Sequence, residues 1–464
     1  MFMELGIRLL DAFVSVILAR YLAPSGFGLL AFALSFASLF SILPGFGMGS
    51  LVTRDLARDA SQRNHYVTNS FLIKVLLAIL TLTLIFGTSL GLHHSPEKKI
   101  VVILAGFLLI LESNVDFALS FFQAAQKVKT IAVVNLGVRT GWVLLSMLTV
   151  LMKGGVVQLL AVRVFLNLIG LVASLFLINH KLERIKWSFD LPFAWKIVKA
   201  SFPFALFKLF GGVYTDIDTV MLSSMRGYVM TGWYAAGYKV LRIFSFIPGS
   251  IFPVILPALS KYSRESRPQL IRTLSRGVKY LLIISLPVAG GTCILATQVI
   301  HIFYGTSYEG AIPALRILIW TLVFSFLNSV LNASIAAIDQ EKRGSRILFY
   351  GALASGISNL FVIPPFGHVG AASTTVLAES FIFMLQVRLL TRTLPGLKIW
   401  SQTPKPLLAT FLMMAVTWYA RTWNLFLIIP LSALVYFLSL IALRGIEMEE
   451  WVFAKDLFQR RFSK

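Results

Sequence analysis

Lys239 and Arg242 stand three residues apart in one apolar stretch, on one face of any helix built there, and that helix carries no acid. A cationic pair in such surroundings either holds an anionic ligand or pairs with an acid from a neighbouring helix, Asp216 or Asp218 being the nearest in sequence. Those two acids lie about 200° apart around a helix, so one can meet a cation while the other lines a lumen. Glu112 and Asp116, four apart, form a like-charged stripe that calls for a cation, and Arg139 on the next apolar stretch can supply it. Arg8 and Asp11, three apart, can neutralise each other. With Lys74, Arg163, Lys208, Arg316 and Glu379, eight basic and six acidic residues fall inside apolar stretches.

Charge in such places is costly. One at mid-bilayer costs about 2.5–3.5 kcal/mol even on the lenient insertion scale. Fourteen of them facing lipid would cost on the order of 40 kcal/mol, well beyond the stability of any fold. Arg163, Lys74 and Arg316 stand near stretch ends, where a long side chain can snorkel. The others must pair or face a wet cavity.

The elements that hold them are fourteen expected membrane spans, near 3–20, 28–53, 67–90, 100–122, 131–152, 156–179, 200–223, 233–258, 280–303, 313–337, 346–364, 370–390, 406–420 and 424–443. With both termini placed in the cytoplasm, the inner connections and tail hold 28 Lys and Arg, and the outer turns hold 6. That bias is the orientation signal of a multi-span protein. It also accounts for most of the net charge of +22, which on a soluble chain would suggest nucleic acid. Only 13% of residues are charged and 57% are hydrophobic, against about 25% charged in soluble domains. The class is an all-α integral membrane protein. Cys293 is the single cysteine, so no intrachain disulfide can form. The scattered histidines suggest no metal site, and no cleavable signal peptide is expected, because the first span carries Arg8 and Asp11 without a basic flank.

Gly28–Gly45 aligns with Gly232–Gly249 at an offset of 204, with six identities in 18 columns: Gly28/Gly232, Ala31/Ala235, Phe40/Phe244, Ser41/Ser245, Pro44/Pro248 and Gly45/Gly249. Both segments are the second span of a six-span lobe, which predicts two lobes related by an axis along the membrane normal. The expected organisation is 1–180 as the first lobe, 181–199 as a cytoplasmic linker, 200–390 as the second lobe, and 391–464 as two further spans and a tail. The linker mixes Lys and Arg with Trp187, Phe193 and Trp195, which suits an interfacial helix or an ordinary connection. Pro44-Gly45 and Pro248-Gly249 interrupt helices and serve as hinges or as packing kinks. The sequence has no G-x-x-x-x-G-K-S/T loop, so ATP hydrolysis by that route is excluded. No outer turn carries the carboxylate pair or His/Asp cluster of a membrane glycosyl transferase. The chain is expected to be no enzyme and to need no cofactor.

Three segments resemble a known family. They are Leu18-Ala-Arg-Tyr-Leu-Ala-Pro-Ser-Gly-Phe-Gly28, the run from Asp216-Ile-Asp-Thr-Val-Met-Leu through Gly232-Trp-Tyr-Ala-Ala-Gly-Tyr-Lys239 to Ile255-Leu-Pro-Ala-Leu-Ser, and Asn359-Leu-Phe-Val-Ile-Pro-Pro-Phe-Gly-His-Val-Gly-Ala-Ala372. The chain resembles bacterial oligosaccharide flippases, the polysaccharide transporter branch of the multidrug/oligosaccharidyl-lipid/polysaccharide exporter superfamily. The resemblance implies two six-helix bundles in a V around a central cavity plus two C-terminal helices. It also implies flipping of undecaprenyl-diphosphate-linked oligosaccharide from the inner to the outer leaflet by alternating access, for cell-surface polysaccharide. On that reading Arg8, Lys208, Lys239 and Arg242 contact the diphosphate or acidic sugars. Asp11, Asp216 and Asp218 serve ion coupling or ion pairing, and Glu112, Asp116 and Arg139 clip the first lobe together. Expected partners are the lipid-linked substrate, membrane lipids, Na+ or H+ and polysaccharide-assembly proteins such as a polymerase, with no nucleic acid. The expected location is the bacterial cytoplasmic membrane. The alternative is a cation-coupled multidrug exporter of the same superfamily, which would favour an acidic cavity.

Overall fold

A computed structural model describes residues 2–91, 95–182, 186, 188–397 and 399–445, apart from the side chains of 2–5, 7–9, 206–214, 246, 250–254 and 402. Apart from three 3-10 turns, its regular elements are α-helices: α1 (Phe2–Ser38), α2 (Ile42–Gly45), α3 (Met48–Arg58), α4 (Arg63–Gly91), α5 (Pro96–Ala124), α6 (Val128–Leu151), α7 (Val156–Lys181), α8 (Leu191–Arg226), α9 (Tyr228–Phe244), α10 (Phe246–Glu265), α11 (Arg267–Ile294), α12 (Ala296–Tyr304), α13 (Ala311–Leu318), α14 (Thr321–Ala337), α15 (Glu341–Thr393), α16 (Pro404–Tyr419) and α17 (Leu425–Ala442). Nine helices among the described residues are long and apolar enough to cross a membrane. Large side chains such as Leu76, Leu144, Phe165 and Leu427 stand exposed on them, as lipid contact requires. This is a multi-pass helical membrane protein.

The helices do not match the fourteen expected spans one to one, and backbone chemistry explains why. α1 has 37 residues and α15 has 53, about 55 and 80 Å at helical rise, well beyond one hydrocarbon thickness. α1 breaks at Ala23 (φ 55°), the residue before Pro24, where the proline ring disfavours helix. α15 breaks at Gly367 (φ 56°), just after Pro364-Pro365. Both breaks fall in expected outer turns. The expected eighth span is divided between α9 and α10 at Ser245, because Pro248 has no N–H to donate to the Phe244 carbonyl. The expected second span breaks between Ser38 and Met48, where Phe46 (φ 37°) and Gly47 (φ 69°) are left-handed.

The chain forms two compact units, Met1–Ala236 with Ala352–Ala371, and Gly237–Gly351 with Ala372–Lys464. The first unit packs around two apolar clusters, one centred on Met48, Leu51, Phe121 and Phe122, the other on Phe32, Ile85, Val101 and Leu108. The second packs Leu274, Val278 and Leu281 of α11 against Phe326 and Val330 of α14. The expected linker is docked within the first unit. Asn64 donates to the Lys186 carbonyl (2.7 Å) and accepts from its amide (2.9 Å). Thr68 donates to the Ser188 carbonyl (2.9 Å), and the Asp190 amide donates to Asn69 (2.8 Å). The Asp190 side chain then caps α8, so the aromatic stretch from Leu191 is the first part of a helix that continues into the seventh span.

Candidate functional site

The intramembrane charges of the first unit form a network whose pairings differ from the expected ones. Arg139 of α6 donates to Asp11 of α1 at 2.6 Å. Arg163 of α7 donates to Glu112 of α5 at 2.9 Å and lies over the Trp142 ring at 5.6 Å. Arg163 therefore does not simply snorkel to a membrane face; a carboxylate holds it. Asp116 is also engaged within the chain. The expected trio of Glu112, Asp116 and Arg139 does line one common cavity of ≈ 180 Å³, together with Asn135, Trp142, Arg163 and Asn167. Four helices are tied together by these contacts.

Glu112, Asp116 and Asn135 also border a second, larger cavity of ≈ 700 Å³ in the same unit. Gly45, Gly49, Ser50, Thr53 and Arg54 from α2 and α3 form one wall, and Ser113, Phe117, Ser120 and Gln123 of α5 form another. Small residues at these positions leave the space, and the α5 spacing puts the whole row on one helix face. Between Glu112 and Gln123 the cavity follows α5 for about 16 Å. Arg54, at one end, is paired with Asp55 at 2.8 Å.

Lys74 of α4 occupies the broken second span. It is 3% exposed, and its ammonium donates to the Pro44 carbonyl at 2.6 Å, with the Ser113 carbonyl and hydroxyl at 3.5 and 3.4 Å and the Phe117 ring at 5.0 Å. A carbonyl left free by the helix break is thus satisfied by a cation, which meets the rule that backbone groups inside the membrane find partners. Gly47 is pressed against α8: a β-carbon there would stand 2.6 Å from Phe204 Cβ and 2.7 Å from the Ser201 carbonyl oxygen.

The two acids of α8 have separate neighbours. Asp216 accepts from Ser35 (2.9 Å) and Ser38 (2.6 Å) of α1. Asp218 is buried and accepts from Asn359 (2.5 Å), Tyr234 (3.3 Å) and Ser355 (3.5 Å). Serines three apart in α1, and a serine and asparagine four apart in α15, were the available sequence signal for these donors, since polar residues at helical spacing in an apolar run mark a face turned to something polar.

In the second unit, the Arg242 guanidinium is exposed and lies over the Tyr238 ring at 5.1 Å. Lys239 is half-buried and engaged within the chain. Glu379 accepts from Asn328 at 2.6 Å. The side chains of Arg8 and Lys208 lie outside the described residues. Pro44 and Gly45 sit within the first break, and Pro248 and Gly249 at the start of α10.

A family profile described as "Polysaccharide biosynthesis protein" matches residues 1–263. A probable low-salt glycan biosynthesis flippase of Haloferax volcanii is 21% identical over 78% of this chain and 75% of its own length. A putative O-antigen transporter of Escherichia coli is 21% identical over 80% of this chain and 90% of its own. The solved structure of the lipid II flippase MurJ in an inward closed conformation superposes with a TM-score of 0.78 at 17% identity, covering 98% of this chain and 99% of that one. That likeness is one of fold.

Proposed function

The chain belongs to the polysaccharide biosynthesis protein family, and from that premise we propose that it carries polyprenyl-diphosphate-linked oligosaccharide from the inner to the outer leaflet of a bacterial cytoplasmic membrane by alternating access. One observation carries the reading most directly. A helical membrane unit keeps five charges (Asp11, Glu112, Asp116, Arg139 and Arg163) within its spans, in ion pairs and along cavities, instead of apolar packing. So much charge inside membrane-spanning helices is costly unless something polar passes alongside it.

In this reading the chain is a transporter without catalytic residues. Arg8, Lys208, Lys239 and Arg242 meet the diphosphate, and guanidinium and ammonium groups suit that ligand. The breaks at Pro44-Gly45 and Pro248-Gly249 serve as hinges between six-span lobes at 1–180 and 200–390, with both termini cytoplasmic. Asp218, buried and accepting hydrogen bonds from Asn359, Tyr234 and Ser355, is the acid assigned to a coupling proton or Na+. A polymerase or other assembly protein would take the product on the outer side. The competing reading, export of cationic drugs, has less support, because Glu112 and Asp11 are already neutralised by arginines.

The test is deletion of the gene with complementation. Loss of surface polymer and build-up of lipid-linked oligosaccharide, both reversed by the wild-type chain, is the expected outcome. Unchanged polymer together with new sensitivity to cationic drugs would replace the reading with the exporter.

A further inference from the structure

The ≈ 700 Å³ cavity of the first unit offers a chemistry that differs from that of the cations assigned to the diphosphate. The charges around it are already compensated. Arg54 pairs with Asp55, Glu112 pairs with Arg163, and Asp116 has its own contacts. By contrast, the side chains of Ser41, Ser50, Gln123 and Asn135 line the same space and, among the described residues, have no side-chain hydrogen-bond partner. Phe117 adds an apolar ring to the wall.

We propose that this cavity is a subsite for the sugar rings of the transported head group, reading neutral, hydroxyl-rich carbohydrate and not phosphate. The inference rests on the transport reading above and deepens it. An anion needs uncompensated positive charge, and here the arginine described on the wall, Arg54, already has a carboxylate. A polyhydroxyl ligand needs alternating donors and acceptors held in place. Amides supply both, hydroxyls supply both, and a carboxylate oriented by an arginine still has lone pairs to accept from a sugar hydroxyl. The volume lies within the range of about 300–1,000 Å³ usual for small-ligand sites. The cavity follows α5 from Gln123, at the expected cytoplasmic end, down to Glu112 at mid-span, which suits a head group loaded from the cytoplasmic leaflet.

The test uses the full-length protein purified in detergent, with N-acetylglucosamine, galactose and rhamnose as probes at tens of millimolar in saturation-transfer NMR. At least one sugar should show contact, undisturbed by sodium diphosphate. Asn135→Leu and Gln123→Met remove the amides at nearly constant volume and should each weaken that contact about tenfold, the scale of a lost hydrogen-bond pair. Should both variants fail to fold, Ser50→Cys in a Cys293→Ser background, blocked by a methanethiosulfonate reagent on the folded protein, should abolish the signal. Absence of contact for all three sugars, contact that survives these changes, or displacement by diphosphate overturns the subsite. A cell that loses its surface polymer on gene deletion, while the purified chain shows no sugar contact, sinks the subsite and leaves the transport reading standing. A cell that keeps its polymer sinks the transport reading itself.

Discussion

Gly28 and Gly232 pack backbone against backbone in the first unit. A β-carbon on Gly28 would stand 2.7 Å from the Gly232 amide nitrogen and overlap the Tyr228 carbonyl, and one on Gly232 would overlap the Pro24 carbonyl. The same offset of 204 that aligns Gly28 with Gly232 aligns Pro24 with Tyr228. The contact is therefore reciprocal, residue 28 against 228 and residue 232 against 24, the form that two-fold related segments take where they meet. Only glycine allows so close an approach of two helices.

Valine at Gly28 or at Gly232 should be equally damaging, since the clash is with backbone and no rotamer relieves it. We expect each variant to lose about 1–3 kcal/mol, the usual cost of overpacking, seen as a lower unfolding temperature in detergent. Gly87→Val, at a position with open space around it, should match the wild type. Equal stability of all three would refute the close contact.

Lys74→Met should destabilise the first unit by about 1–3 kcal/mol, because the Pro44 carbonyl loses its partner inside the membrane. Limited proteolysis near residues 39–47 should accelerate in parallel. A variant as resistant as the wild type would mean that the lysine is not what holds the broken span.

Asp218→Leu should leave Asn359, Ser355 and Tyr234 with unmet polar groups, at a cost of about 1–3 kcal/mol. Asp218→Asn should fold nearly normally yet lose any dependence of transport on Na+ or proton gradients. Transport by the Asn variant that keeps the wild-type ion dependence would remove Asp218 from the coupling role.

Lys239→Ala with Arg242→Ala should abolish surface polymer at normal membrane levels of the protein, and Arg242→Lys should retain part of it. Arg242 stands exposed above Tyr238, so its removal should cost little stability. Full polymer in the double variant would withdraw both residues from substrate contact.

Asp55, near the C-terminal end of α3, tests the pH response. Burial pushes its carboxyl up, but hydrogen bonds from Arg54 and Tyr66 outweigh that and hold it below the ordinary range. Its folded-state value being the lower one, its contribution is present above the unfolded value of about 4 and is lost as pH falls through the folded value. The unfolding temperature of the wild type should drop on acidification below about pH 4, and Asp55→Asn should show a shallower drop.

The candidate site was legible in part. The residue types were visible in the chain: Glu112 and Asp116 share a stripe, and both line one cavity with Arg139. Their partners were not. Arg139 meets Asp11 from α1, and Glu112 takes Arg163 from α7, 51 residues away. Ser35, Ser38 and Asn359 carry no charge, so they stand out only once Asp216 and Asp218 are seen beside them.

What the amino-acid order determines alone is the class and the local breaks. Apolar runs long enough for a bilayer, a Lys and Arg bias between alternate connections, and prolines that remove backbone donors act through neighbours in the chain or through the solvent, and need no third dimension. Only the tertiary structure decides which acid meets which base, where small residues leave a cavity, and that Gly28 meets Gly232. Helical periodicity says which residues share a face, but it cannot say which other helix that face will touch, because the choice depends on side-chain volumes summed over every neighbour at once.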